Sequence, residues 1–582
     1  MLLWAPPAQP HAFGQRYDLP LPLYLYLAGA GAAVALSFVI MALIFRAPRQ
    51  GDRWPGIDLL RFRPMRIMLH LAVISIIRLV SVGLFLLVLA TGFFGTQVPL
   101  KNFAPTFVWI IWWVGLAYVA ALAGNLWPTI NPWSVIFAGI EKLVRRLGSQ
   151  GRLSLEIAYP SWLGVWPAVA LFGLFSWFEL VVESAKLPAT LATAIAVYSG
   201  MTWLGMAVFG RHVWLAQGEA FSLVFEVFGR FAPIDRPGRN TPDGRPGRWY
   251  LRPYAGGLMT ERPCGLSMMV FVLLLLSAVA FDGFKETPLH AGLLEWIASA
   301  PLFHPLILKL HNLGFDLIVV LDTVTLILSP FLFLLVYLGF AWLAKEVCDS
   351  ERPVLEVAGI FVLSLVPIAI AYHLAHYLSY LLLSGQLIIP LASDPFGIGW
   401  DIFGTAGYSI EIGIIGAKFV WYTAVIAIIV GHVFAVSAAH FVALRVFESA
   451  SVAIKSQYPF LILMVAYTML SLWIFSQPIV GGPSLYSLRA NSGTISLAPF
   501  ELQELCLELT PGNEVQYAFQ ANQPVEFNIH FHDGLRIRFP VKLLGTTDYG
   551  GDYIAELDQV YCLAWFNRAL TETSLEYQTF RP

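Results

Sequence analysis

Histidines and carboxylates recur inside long apolar runs of this sequence, where an ionisable side chain is costly unless it is paired or wet. In Tyr372-His373-Leu-Ala-His376-Tyr377-Leu-Ser-Tyr380 the three-residue spacing puts both imidazoles on one helix face. A later run carries His432 near its middle and His440 one face-width away. Trp177-Phe178-Glu179-Leu-Val-Val-Glu183 sets two carboxylates on one face, and another run ends at Phe281-Asp282-Gly283. The next contains Asp316, Asp322, Thr325 and Ser329, and an earlier one contains Arg78. Neutral imidazoles with carboxylates are the ligand set of zinc or another divalent transition metal. With His373, His376 and His432 as metal ligands and Glu179, Asp282 or Asp322 completing the shell, such a site lowers the pKa of bound water toward about 7 and polarises a phosphoryl or carbonyl oxygen. Arg78 then reads as a counter-ion for one of the acids or as a phosphate-binding group. Blander roles compete. A lone histidine in such a run commonly hydrogen-bonds a neighbouring helix, the reading for His440 and His70. Tyr372, Tyr377 and Tyr380 suit packing, Glu183 suits solvent, and His530 and His532 suit an exposed sheet face as well as a metal pair.

The elements that must position these groups follow from composition. Of 582 residues, 58% are hydrophobic and 12% charged, with mean hydropathy +0.69, whereas soluble chains carry about 25% charged residues. Runs long enough to cross about 30 Å of hydrocarbon number ten: 22–45, 67–94, 105–124, 160–182, 188–210, 264–281, 315–344, 357–383, 418–444 and 459–477. The expected class is an α-helical polytopic membrane protein. With the N-terminus outside, the inward loops hold twenty-two Lys and Arg and the outward loops between helices only Lys101, Lys186, Lys285 and Lys309. Both termini therefore read as outward in a bacterial inner membrane. That orientation converges His373, His376, His432, Asp282 and Asp322 on the outer half of the bundle. Residues 132–147 and 212–232 read as interfacial amphipathic helices, and the Pro-, Gly- and Arg-rich stretch Asp235 to Arg252 as a loop near the anionic leaflet. Met1-Leu2-Leu3-Trp4 reaches Pro6 without the charged and apolar regions of a complete signal peptide. Nothing in the charge pattern points to nucleic acid; the partners expected are membrane lipid and a small-molecule substrate.

Residues 1–21 read as a periplasmic segment, 22–480 as the membrane domain and 487–582 as a periplasmic β domain. Glu514 to Gln520, Val525 to Phe531, Leu535 to Pro540 and Gln559 to Trp565 alternate with period two, which argues a β-sandwich. Cys506 and Cys562 both lie in this region, a placement that suits an oxidising compartment. Cys506-Leu-Glu-Leu-Thr-Pro-Gly-Asn, Val525-Glu-Phe-Asn-Ile-His-Phe-His-Asp-Gly534 and Tyr561-Cys562-Leu-Ala-Trp together resemble GOLD-type β-sandwich domains over about 80 residues. Those domains close a cysteine pair between matching strands, so the resemblance implies a Cys506–Cys562 disulfide. Cys264 and Cys348, at cytoplasmic helix ends, are expected free.

His11-Ala-Phe-Gly-Gln-Arg-Tyr-Asp18, Phe281-Asp282-Gly283 and Tyr372-His373-Leu-Ala-His376-Tyr377 resemble, over roughly residues 11–480, the bacterial membrane proteins called fenitrothion hydrolases. The resemblance implies a membrane-bound phosphoric triester hydrolase acting with a second membrane subunit. Two other readings use the same residues: a haem b- or quinone-linked electron-transfer subunit with His373 or His376 and His432 as axial ligands, and a transporter whose path they line. No P-loop, dinucleotide fingerprint or serine-hydrolase elbow is visible.

Overall fold

The computed structural model describes residues 22–46, 56–68, 70–147, 153–235, 249–260, 262–313, 317–411, 414–477, 490–497, 502–533, 536–567, 569 and 571–580. The N-terminal segment with His11 and Asp18, Arg49, Arg53, Arg152, Asp316, most of the Asp235 to Arg252 loop and Leu535 lie outside the described residues.

Ten described helices are long and apolar enough to cross a membrane. They are α1 (Leu23–Ile44), α2 (Leu71–Phe94), α3 (Phe103–Leu122), α4 (Ser161–Leu180), α5 (Pro188–Phe209), α6 (Leu266–Lys285), α7 (Leu317–Val347), α8 (Val354–Ser393), α9 (Lys418–Val446) and α10 (Ala450–Ser476). Each matches one of the expected runs, because a helix is the local way to satisfy every backbone polar group of an apolar segment. α6 and α8 are the most enclosed, with 78% and 83% of their apolar windows buried, whereas α2 is only 6% buried. The chain divides into two units: Met1–Ser176, Lys186–Gly283 and Leu326–Ser476 form the helical one, and Trp177–Ala185, Phe284–Thr325 and Gln477–Pro582 the other.

Small residues let the helical unit close. A Cβ on Gly431 of α9 would lie 2.4 Å from the Ala371 Cβ and 2.8 Å from the Pro367 carbonyl oxygen of α8. Gly92 of α2 stands in the same relation to Ala192 and Pro188 of α5. Two of the helices are irregular. Thr106–Gly115 of α3 is π-helical, and α8 contains 3-10 turns at Val362–Leu365 and Ser384–Leu387 around the α-helical stretch Val366–Leu383.

The expectation for 212–232 needs correction. Its helix Ala220–Phe231 buries nine of its twelve residues, from Ala220 to Phe231, so it is part of the bundle core and not an interfacial helix. Phe221, Phe225 and Phe228 pack against Trp112, Trp113 and His373, which draws an all-apolar face inward. Glu219, itself fully buried, caps it by accepting from the Phe221 N–H at 2.9 Å and the Ser222 N–H at 2.7 Å, and from the Tyr198 hydroxyl. Arg252 closes the other end, donating to the Gly229 and Arg230 carbonyls at 3.0 Å and pairing with Asp235. Helix Pro132–Arg146 does present its two faces as expected: Pro132, Trp133 and Phe137 are buried, and Lys142, Arg145 and Arg146 are exposed.

The C-terminal region is one antiparallel six-stranded sheet: β1 (Ala490–Leu497), β2 (Leu502–Leu509), β3 (Glu514–Asp533), β4 (Arg536–Ile554), β5 (Gln559–Phe566) and β6 (Thr573–Phe580). The hydrogen-bonded order is β1-β6-β3-β5-β2, with β4 paired to β3. The two strands expected at 514–520 and 525–531 are therefore one long strand, which pairs with β6 over Gln516–Ala521 and with β5 over Glu526–Phe531. The register breaks between Gln520 and Val525, where Pro524 has no N–H to give a ladder. Val515, Tyr517, Phe519, Ala521, Val525, Phe527 and Ile529 all face one core with Leu563, Trp565 and Leu575, the period-two signature of a single face. Cys506 of β2 lies directly opposite Cys562 of β5, and the two form a disulfide; Cys264 and Cys348 are free.

Glu219→Ala removes the acceptor of three buried donors and is expected to cost about 2–4 kcal/mol. Thermal unfolding in detergent should show a clear drop in Tm, whereas Glu183→Ala, at an exposed carboxyl, should shift it little.

A carboxyl shared by a histidine and a tyrosine

Asp282 lies near the C-terminal end of α6, within the buried stretch that runs from Phe271 to Gly283. Its Oδ2 is 2.9 Å from His376 Nε2 and accepts the Tyr377 hydroxyl at 2.7 Å. His376 and Tyr377 are consecutive on α8, their rings at right angles with centroids 4.8 Å apart, so they straddle the carboxyl from two directions. Two donors on one oxygen offset much of the cost of taking a carboxyl group out of water. The helices approach closely because residue 283 is glycine: a Cβ there would stand 2.8 Å from the Tyr372 hydroxyl oxygen.

His373, one turn back on α8, is also buried but differently surrounded. Its ring sits among Trp113, Tyr118, Phe228 and Tyr377, with centroids 4.7–6.1 Å away. Among the described residues its Nε2 has no hydrogen-bond partner, and neither has the Trp113 indole N–H. Tyr118 donates to the Leu374 carbonyl at 3.0 Å and so ties α3 to α8 beside it. His432 of α9 donates from Nδ1 to the Ile428 carbonyl at 2.8 Å, which leaves a buried Nε2 lone pair without a partner. His440 is the helix-to-helix bond expected of it: Nδ1 is 3.1 Å from Gln457 Oε1 of α10, and Nε2 is 2.9 Å from the Phe45 carbonyl at the end of α1.

In the other unit Asp322 is buried and its Oδ1 lies 3.0 Å from His290 Nε2, at ion-pair distance without hydrogen-bond alignment. Thr287 caps the helix Pro288–Ser299 that carries His290, and Trp177 donates to Thr323 at 2.9 Å. Glu179 is half-buried and Glu183 exposed. Neither His290 nor Glu219 was among the expected residues. Thr287-Pro288 is a helix-start signature that would have placed His290 in a first turn, and nothing in the sequence pairs it with Asp322.

Arg78 is exposed, and its Nε lies 3.4 Å from the Thr129 carbonyl oxygen. His70 caps the start of α2, its Nδ1 accepting from the Ala72 N–H. Among the described residues, the one group of three His, Cys, Asp or Glu donors within 4.8 Å of one another is Glu504, Cys506 and Cys562. None of His373, His376 and His432 belongs to that group. A two-donor ligand such as haem asks only for a pair of imidazoles, and the buried Nε2 atoms of His373 and His432 have no hydrogen-bond partner among the described residues. No protein-family model matches the chain, and no curated protein matches it.

Replacing Asp282 with alanine strands two buried donors and should cost about 3 kcal/mol, against about 1 kcal/mol for Tyr377→Phe. A double-mutant cycle of Asp282→Asn with His376→Gln, read by unfolding in mixed micelles, should give a coupling above about 0.5 kcal/mol. Strict additivity would mean that the pair does not act as a unit.

Proposed function

We propose that the chain is a multi-pass bacterial inner-membrane protein with both termini on the periplasmic side, and that it is a proton-coupled transporter working through Asp282, His376 and Tyr377. The observation that carries this reading is the Asp282 carboxyl shared by an imidazole and a phenol inside an apolar helix bundle. An ionisable group at such a place marks a functional site by default, and a His-Asp pair is a unit that takes up and releases one proton at a time. The interruptions of α8 on either side of it support the same reading, since broken helices are where transporters build their sites. The Lys and Arg asymmetry of the loops supports the orientation, and the disulfide in the C-terminal domain is in keeping with an oxidising compartment.

A pH jump applied to reconstituted protein on a solid-supported membrane tests this. Proton binding to Asp282 displaces charge within the membrane, so the wild type should give a transient current. Asp282→Asn should reduce it about tenfold or more, and His440→Gln should keep it. A current unchanged in Asp282→Asn would overturn the proposal.

The unpartnered Nε2 atoms of His373 and His432 favour a second reading, a haem-linked electron-transfer subunit. Purified protein would then carry a Soret band, lost in His432→Ala; a colourless protein from haem-replete cells would exclude it. The metallohydrolase reading implied by the resemblance would draw its ligands from His373, His376 and His432 with a carboxylate, and metal analysis of the purified protein is the measurement that bears on it.

A further inference from the structure

We infer that the C-terminal β domain carries a latent site for a thiophilic divalent cation of the Zn2+ class, closed by the Cys506–Cys562 disulfide and opened by its reduction. The proposal rests on how the register lays four donors on one sheet face. Cys506 of β2 is opposite Cys562 of β5, and Cys562 is opposite His530 of β3, so the three side chains form one row across three strands. The next row is Glu504, Ala564 and Asn528. These are the even-numbered positions, on the face away from the aromatic core.

The distances place three of the donors together and the fourth beside one of them. A Glu504 carboxylate oxygen and the two sulfurs already lie within 4.8 Å of one another. His530 Nε2 is 3.6 Å from Glu504 Oε1. The His530 imidazole is buried, with Nδ1 held at 2.7 Å by Asn528 Oδ1. A second group on the far ring nitrogen is how ligating histidines are oriented, because it fixes the tautomer whose other nitrogen carries the lone pair. Ala564, between Glu504 and Asn528, puts no bulk into the row. Cys506 is half-buried and Cys562 buried, so a reductant reaches the bond from the Cys506 side.

A dithiol supplies two electrons and two protons, the S–S bond breaks, two thiols form, and the dithiol leaves as its own disulfide. Binding of the cation then releases both thiol protons and leaves two thiolates, one imidazole and one carboxylate around it, a four-donor set of structural zinc type. Soft sulfur donors select against Mg2+ and Ca2+. The site therefore exists only in the reduced domain.

The test uses the full-length protein in detergent, before and after a dithiol reductant that is then removed without air, and Zn2+ alone as probe in competition with a chromophoric chelator. Any zinc bound elsewhere is present in both states and cancels. Reduction should add about one Zn2+ per chain. That increment should vanish in Cys506→Ser/Cys562→Ser and weaken about tenfold or more in His530→Gln and in Glu504→Gln, both of which keep the cysteine pair. No added zinc on reduction would overturn the inference. So would an increment of unchanged affinity in both single variants, the behaviour of two thiols in a domain that has lost its strand register.

Discussion

A polar atom in an apolar interior must find its partner on another segment, and the helical unit is tied together by that requirement. Asp282 joins α6 to α8 through His376 and Tyr377. His440 joins α9 to α10 and to the end of α1. Glu219 joins the helix Ala220–Phe231 to Tyr198 of α5. If the bundle lies in lipid, as its ten long apolar helices suggest, no hydrophobic force drives helix against helix, and such bonds and close packing at small residues fix which faces meet. Each is worth little alone, but the geometry is exclusive: rotating α8 by one residue would carry both donors off Asp282.

Against that background the unpaired atoms acquire meaning. Nε2 of His373, Nε2 of His432 and the indole N–H of Trp113 are buried without hydrogen-bond partners among the described residues. Leaving such groups unmade costs about 1–3 kcal/mol each. Trp113 lies in the π-helical stretch of α3, a departure from α-geometry found most often at functional sites. Its ring meets that of His373 edge-to-face at 5.5 Å. The π-helical stretch and two of the unmade bonds, those of Trp113 and His373, meet at that ring contact.

The spans were legible because their signal is a mean over some twenty residues, which no local detail can reverse. The β strands were half legible. Alternation marked Val515 to Phe519 and Val525 to Ile529, but the sequence between them, Ala521 to Pro524, looks like a turn and is a register break inside β3. Which neighbour a buried ionisable group chooses was not legible, since it depends on helix rotation and long-range packing: Asp322 meets His290, a residue in what read as a loop. The exposure of Arg78 was not legible for a related reason. Its helix, α2, is only 6% buried, and hydropathy does not say which spans lie at the edge. The burial of Ala220–Phe231 was hidden by the arginines around it, because Arg230 and Arg252 are spent on Glu226, Asp235 and the carbonyls of that helix.

The placement of the centre on α8 has a consequence for movement. Val366–Leu383 is one α-helical stretch between two tighter 3-10 turns, and His373, His376 and Tyr377 lie in its middle. Gly431 against Ala371 and Pro367 keeps that stretch pressed on α9 with no side chain between the backbones. That close contact holds the stretch in one rotational setting, because turning Ile370 or Tyr372 into the place of Ala371 would bring a larger side chain against the α9 backbone. Protonation of the Asp282 carboxyl would convert it from an acceptor of two bonds into a group that must also donate. The proton would take Oδ1, for which an acceptor must then be found, while Oδ2 would hold His376 and Tyr377 less strongly as part of a neutral group. On the transporter reading, this couples the proton to α8 by weakening two hydrogen bonds at a single oxygen.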